Sequence, residues 1–359
     1  MSLPEHIGGP RNWDYRYTWV RDAAFTIYAL MRLGFTDEAG AFIQFMQARA
    51  KEEEPVAGPL NVMYRIDGGH DITEETLDHL DGYRGSKPVR AGNAAFAHLQ
   101  LDIYGELMDS LYLYDKYGTR TSYETWLQIE RMLDWVAKHW EEPDQGIWEV
   151  RAGRQQFTYS KLQCWVAFDR GLRLASKRSF PVNGHLWSEQ RDRIYRAIME
   201  QAWNEQQCAF TQYYGSPTVD ASVLLMPMML FISPTDPRML STLKRVQQEL
   251  VSDSLVWRYA IGKAAKDGLT GGEGTFAVCS FWYAEALARS GMLDEALLIF
   301  EKMLTYASNL GLFSEEIGGE GHALGNFPQA LTHLGLISAA FNLDRQLENT
   351  SDGRANIQK

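Results

Sequence analysis

The sequence is short of cysteine, of long apolar runs and of positive charge, and each shortage closes off a class of protein. Its 359 residues hold three cysteines, Cys164, Cys208 and Cys279, odd in number and widely spaced, so a disulfide framework is not expected and a reducing compartment fits. Their apolar surroundings predict core thiols. The longest apolar run, 223–232, is far too short to span a bilayer and contains Pro227. The opening MSLPEHIGGP has neither a basic start nor an apolar stretch, which leads to the expectation of a soluble, cytoplasmic protein with no membrane partner. A formal net charge of -11 would repel nucleic acid and anionic lipid over most of the surface, so the expected ligand is neutral or small. The eight histidines show no HExxH-like or paired-ligand spacing, and no GxxxxGK[ST] stretch occurs, so no metal and no cofactor are expected.

What the chain does have is enough apolar material, 45% hydrophobic and 12% aromatic, to bury one large core. Apolar residues recur at helical spacing near 20–33, 37–51, 94–117, 122–140, 156–177, 188–204, 219–231, 237–251, 275–290, 293–307 and 327–342, which predicts eleven helices. Gly34, Gly118 and Gly291 stand where left-handed C-caps would end helices, Thr121 and Glu124 read as a capping box, and Asp236-Pro237 reads as an N-cap with proline in the first turn. The junctions GFTDEA at 34–39 and GMLDEA at 291–296 echo each other. Short connections and this echo favour antiparallel helix pairs in a ring, an all-α, α/α toroid, over a linear solenoid. Long segments at 52–93, 141–155, 205–218, 252–274 and 308–326 are rich in Gly, aromatics and acids, and loops of that length in a compact domain are usually functional. The domain is expected to span 1–345, with a polar tail at 346–359.

The densest chemistry lies in NWDYRYTWVRD at 12–22, where Trp13, Tyr15, Tyr17 and Trp19 interleave with Asp14, Arg16, Arg21 and Asp22 just before an apolar helical run. Such a mixture suits a sugar pocket: flat rings stack on the weakly apolar face of a pyranose while Arg and Asp bond its hydroxyls. Before any resemblance is counted, Arg21 and Asp22 read more readily as a structural ion pair. Glycosidic hydrolysis needs one carboxylic acid for the leaving oxygen and one carboxylate for water or direct attack. Glu149, in DQGIWEV, sits between apolar neighbours that would raise its pKa, and is the candidate general acid. Glu315, in GLFSEE, is the candidate general base, with Glu316 beside it. The alternative for Glu149 is a surface residue, and for Glu315 a solvated loop or a helix N-terminal charge. Phe281-Trp282-Tyr283 reads as core.

NWDYRYTWVRD also resembles the opening substrate-binding motif of glycoside hydrolase family 15, which comprises glucoamylases, glucodextranases and bacterial trehalases. The likeness recurs in order: GYRGSKPVR at 82–90 with Gly92-Asn93, then GIWEV, then Tyr159-Ser160-Lys161 before Cys164-Trp165-Val166, then GGEG at 271–274, then LFSEE, then LGNFPQA at 324–330. The resemblance implies that Arg21 and Asp22 hold the outer hydroxyls of a terminal glucose, that Trp19 and Trp148 line that subsite, and that Tyr15 lies near the charge developing on the ring. It implies Glu149 as acid and Glu315 as base, in an inverting, exo-acting hydrolase of α-glucosides such as maltooligosaccharides, isomalto-linked glucans or trehalose. Inversion requires carboxylates roughly 6.5 to 9.5 Å apart. Arg90, Glu273 and Glu316 match polar motif positions near the cleft. Fungal members carry a tryptophan in the loop that here reads Tyr83 to Arg90, and this loop has none. A degenerate carbohydrate-binding relative and a polysaccharide lyase on the same toroid are the alternatives.

Eleven helices make five pairs and one unpaired helix, whereas such a toroid needs six pairs. The expectation is therefore a barrel lacking its first helix, with Met1 at a truncated or divergent start, since bacterial members of the resembling family usually carry an N-terminal β-sandwich and a linker helix. Self-association or a partner chain would cover the apolar groove left beside 20–33 and 327–342.

Overall fold

A computed structural model describes residues 2–49, 58–260 and 267–357. Ten α-helices follow in chain order: α1 Val20–Leu33, α2 Thr36–Arg49, α3 Asp102–Tyr117, α4 Tyr123–His139, α5 Thr158–Arg178, α6 Gly184–Ala197, α7 Pro237–Leu250, α8 Ala277–Arg289, α9 Leu293–Leu304 and α10 Ala330–Ile357. The end of the expected second helix, Ala50–Lys51, and parts of the expected loops 52–93 and 252–274 lie outside the described residues.

The helices sort into two rings by how much of their surface is apolar and buried. Helices α3, α5 and α8 bury side chains all round, which only an element packed on every side can do. Helices α2, α4, α6, α7 and α9 bury a single stripe each. Neighbour contacts run α1 to α3, α3 to α5, α5 to the 3-10 turn Ala221–Leu225, that turn to α8, α8 to α10 and α10 back to α1, so the inner ring closes on itself. The main hydrophobic core fills the layer between the rings. Trp126 of α4 and Trp187 of α6 are its largest fully buried side chains, 5.7 Å apart, with Phe180 stacked 5.0 Å from Trp126.

Two expected helices are built differently. The 219–231 segment is a 3-10 turn followed by hydrogen-bonded turns, because Pro227 has no N–H to return to Val223, and Met226 bonds Val223 with 3-10 spacing instead. It still occupies an inner position. The 94–117 segment splits into a 3-10 turn, Ala94–Ala97, and α3, leaving 98–101 outside any helix. The chain capping α4 is Ser122, whose Oγ accepts from Thr125 N–H, rather than Thr121. Gly34 and Gly291 adopt the left-handed conformation expected of C-caps, but Gly118 does not, with φ at -115°. Asp236 caps α7 as expected. Cys164 and Cys279 are core thiols, whereas Cys208 is exposed, in the turn before the inward-facing Ala209 and Phe210. Helix α10 runs on to Ile357, so the expected tail begins as helix. No described helix is long and apolar enough to cross a membrane.

At one end of the ring, short strands tie the loops together. Thr18–Trp19 pairs antiparallel with Met63–Tyr64, and Glu316–Ile317 lies between Thr275–Phe276 and Ala323–Leu324. Helices α3 and α5 approach so closely that a Cβ on Gly105 would collide with the backbone carbonyl of Gln163. Replacing Gly105 with Ala is therefore expected to destabilise the protein by about 1–3 kcal/mol, read as a lowered urea midpoint, and an unchanged midpoint would mean the inner ring yields at that contact.

Candidate active site

A cavity of about 730 Å³ opens at the stranded end of the ring. Its walls come from segments far apart in sequence: Tyr15 to Thr26, Ile147 to Glu149, Arg258, Phe276, Trp282, Glu315 and Asn326 to Leu331. The expected residues Tyr15, Trp19, Arg21, Asp22, Trp148, Glu149 and Glu315 all line it.

Glu149 ends the loop 144–149 in the left-handed region, with φ at 56°, a strained conformation for a residue with a Cβ. The loop is pinned to the stretch before α3: Leu101 N–H donates to Asp144 Oδ2 at 2.9 Å, Leu99 N–H to Gln145 Oε1 at 2.9 Å, and Gln145 N–H to the Leu99 carbonyl at 3.1 Å. The apolar setting expected for the Glu149 carboxylate is not what it meets. Oε1 accepts from Trp19 Nε1 at 2.7 Å, Gln100 Nε2 at 3.2 Å and Arg21 Nη2 at 3.3 Å. Trp148 turns the other way, its Nε1 donating to Asp220 Oδ2 at 2.8 Å while its ring packs edge-on against Phe276.

Arg21 is both a structural cation and a cavity wall. Its guanidinium lies 3.4 Å from Asp102, 3.6 Å from Asp22 and 3.3 Å from Glu149, and donates to Gln100 Oε1 at 2.9 Å. Burial raises the Asp22 carboxyl, and Arg21 works against that rise. The Asp22 side chain keeps 39% exposure, toward the cavity, so the ion-pair reading and the sugar-binding reading describe the same two residues.

Glu315 is held by a separate segment, the turn at Gly325–Asn326. Its Oε2 accepts from Asn326 N–H at 2.8 Å, and Gly325, at φ 67°, fits beneath it because a Cβ there would stand 2.7 Å from that oxygen. Burial, reinforced by the charge of Glu5, pushes its pKa up to about 7. The Tyr15 hydroxyl, between Glu315, Glu5 and Glu149, is held well above the usual phenol range, first by desolvation and then by those charges.

Three expected site residues do not reach the cavity. Glu316 is fully buried, its Oε2 accepting from Gly274 N–H at 2.8 Å, because it lies one step along the chain from Glu315 and points to the other side. Glu273 accepts from Arg11 Nη1 at 2.8 Å and from Arg258. Arg90 donates to the Pro10 and Asn12 carbonyls at 3.1 and 2.8 Å and lies over the Trp13 ring, clamping the N-terminal segment. Oxygens of Glu5, Glu273 and Glu316 lie within 4.8 Å of one another, a spacing that would suit a cation, but the guanidiniums of Arg11 and Arg258 already supply positive charge there. Sequence reasoning missed Arg258 and Gln100 and assigned Trp282 to the core alone, whereas it is buried and also lines the cavity. No local pattern marks Gln100 or Arg258; an arginine stacked over Trp148 and Phe276 is visible only in three dimensions.

The family model for glycosyl hydrolases family 15 matches residues 1–341. A trehalase of Mycobacterium tuberculosis is 42% identical over 348 residues, covering 97% of this chain and 51% of that protein. The chain thus spans about half the length of the curated relatives it matches. A glycosidase variant in complex with glucose superposes with a TM-score of 0.74 at 18% identity, covering 92% of this chain and 88% of that one. A bacterial glucoamylase complexed with acarbose gives 0.70 at 15% identity, over 92% of this chain and 49% of that one. The last two share the toroidal fold.

The raised carboxyl of Glu315 carries a stability consequence. Above about pH 4.5 the unfolded chain ionises at this position while the folded protein holds the proton, so a penalty accumulates with rising pH and is complete above pH 7. Glu315→Gln removes that charge while keeping an acceptor for Asn326. It should raise the melting temperature more at pH 8 than at pH 4.5; an equal shift at both pH values would show that the folded site tolerates the charge.

Proposed function

Because the chain belongs to glycosyl hydrolase family 15, with the match running over residues 1–341, we propose that it is an exo-acting, inverting glycoside hydrolase that releases glucose from α-glucosides. The observation that carries this reading is that Glu149 and Glu315 line one cavity together with Tyr15, Trp19, Arg21 and Asp22. Arg21 and Asp22 hold the hydroxyls of the terminal glucose. Glu149 gives its proton to the glycosidic oxygen as the bond to the anomeric carbon breaks, while Glu315 takes a proton from the water that attacks that carbon from the other face. A base with a pKa near 7 combines strength with a substantial ionised fraction at neutral pH. Trehalose is the favoured substrate, because the relative at 42% identity is a trehalase; a maltooligosaccharide is the second reading, on the toroid shared with glucoamylase.

We also propose that a partner surface, a second copy of the chain, covers the outer position between α10 and α1, where no described helix packs. Arg32 there lies over the rings of Tyr28, Tyr117 and Phe341, and Leu33, Tyr117 and Phe341 are exposed. Sedimentation should show a dimer that Phe341→Ser weakens; a monomer at all concentrations would refute it.

For the chemistry, a panel of trehalose, maltose and isomaltose should show turnover greatest on trehalose. Glu149→Gln and Glu315→Gln should each lower turnover by at least about a hundredfold with the fold retained. The acidic limb of kcat/KM should fall near pH 7 as Glu315 takes up its proton. Proton NMR should show maltose releasing β-glucose first from its non-reducing end. Initial α-glucose would rule out Glu315 acting through water.

A further inference from the structure

The stretch 98–101, between the 3-10 turn and α3, carries a side chain that joins the sugar-binding arginine to the acid. Gln100, 1% exposed, accepts through Oε1 from Arg21 Nη1 at 2.9 Å and donates through Nε2 to Glu149 Oε1 at 3.2 Å. Arg21 Nη2 donates to the same Glu149 oxygen at 3.3 Å, so the three side chains form a closed triangle. An arginine only donates and an ionised carboxylate only accepts, so a single orientation of the amide satisfies both neighbours. The backbone of Gln100 is part of the same piece as the acid loop, since Leu99 and Leu101 on either side are bonded to Gln145 and Asp144.

We propose that Gln100 is a positioning residue that directs the proton of Glu149 to Oε2. This rests on the reading of Glu149 as the general acid. An oxygen that accepts three N–H bonds, from Trp19, Arg21 and Gln100, has no direction left for a proton of its own. Oε2 has no hydrogen-bond partner among the described residues, so the proton resides there, on the oxygen free to meet the glycosidic bond. Gln100 also stabilises the carboxylate that remains after transfer, and its amide carbonyl keeps Arg21 in register with that carboxylate.

The test is Gln100→Glu, which preserves shape and the acceptor for Arg21 but exchanges the donor to Glu149 for a negative oxygen. Loss of the donor and the added charge both favour the protonated acid. On trehalose, the alkaline limb of kcat/KM should therefore move up by about one pH unit. Turnover should fall by about tenfold to a hundredfold and KM should stay within about threefold. Gln100→Met removes both bonds without adding charge and should move the limb the same way by less; it serves if the first variant does not fold. A folded variant with the parent's pH limb and turnover overturns the proposal, as does a change confined to KM, which would make Gln100 a support for Arg21 alone. Glu149→Gln is assayed in parallel. Retained turnover in that variant overturns the acid assignment itself, whereas its loss together with an unmoved limb in Gln100→Glu overturns only the role of Gln100.

Discussion

The buried guanidinium of Arg21 is the constraint on which the site depends. A cation removed from water must find acceptors or it costs the fold several kcal/mol. Arg21 finds Asp22 on its own helix, Gln100 and Asp102 at the entry to α3, and Glu149 on the loop before α5. Three segments are thereby brought to one point, and that point lies in the lining of the cavity. The strain at Glu149 is held by the same arrangement. A residue with a Cβ at φ 56° costs about 1–3 kcal/mol and persists only where its surroundings over-determine it. Three donors on one carboxylate oxygen and the bonds from 99–101 do so here.

A second cluster of charge lies near Glu315. Arg258 lies under Trp148 and Phe276 and reaches Glu5, Glu273 and Glu316, while Arg11 joins Glu5, Glu273 and Asp267. Through these contacts the N-terminal segment becomes part of the site without a regular element of its own. Leu3 N–H bonds the Asn326 side chain and Gly325 N–H bonds the Pro4 carbonyl, so the turn beneath Glu315 is fastened to residues at the other end of the chain. Each candidate catalytic carboxylate thus has a buried arginine behind it. The two differ in that Glu149 touches its arginine directly, whereas Glu315 is set mainly by burial and a neighbouring negative charge.

Helices were legible in the sequence where burial is one-sided or continuous, because apolar spacing of 3.6 is a local property. It overreached where a backbone detail intervened. The apolar run 219–231 keeps helical spacing but meets Pro227, and 94–117 keeps it across 98–101, where the chain leaves the helix and delivers Gln100. Cys208 sits beside Ala209 and Phe210 and so read as core, yet it belongs to the turn 205–208 ahead of that strand, with φ at 50°, and is exposed.

By itself the sequence determined the helical class, the ordered motifs and which acids were available at 149, 315 and 316. Which of those acids faces the cavity was decided only by the tertiary structure. Glu315 and Glu316 are chemically identical neighbours, and one lines the cavity while the other is buried against Gly274, because consecutive residues of extended chain point opposite ways. Arg21 and Glu149 are 128 residues apart, and no periodicity or spacing encodes their meeting. A pairing of that range exists only once the ring has closed and water has been removed from around both charges.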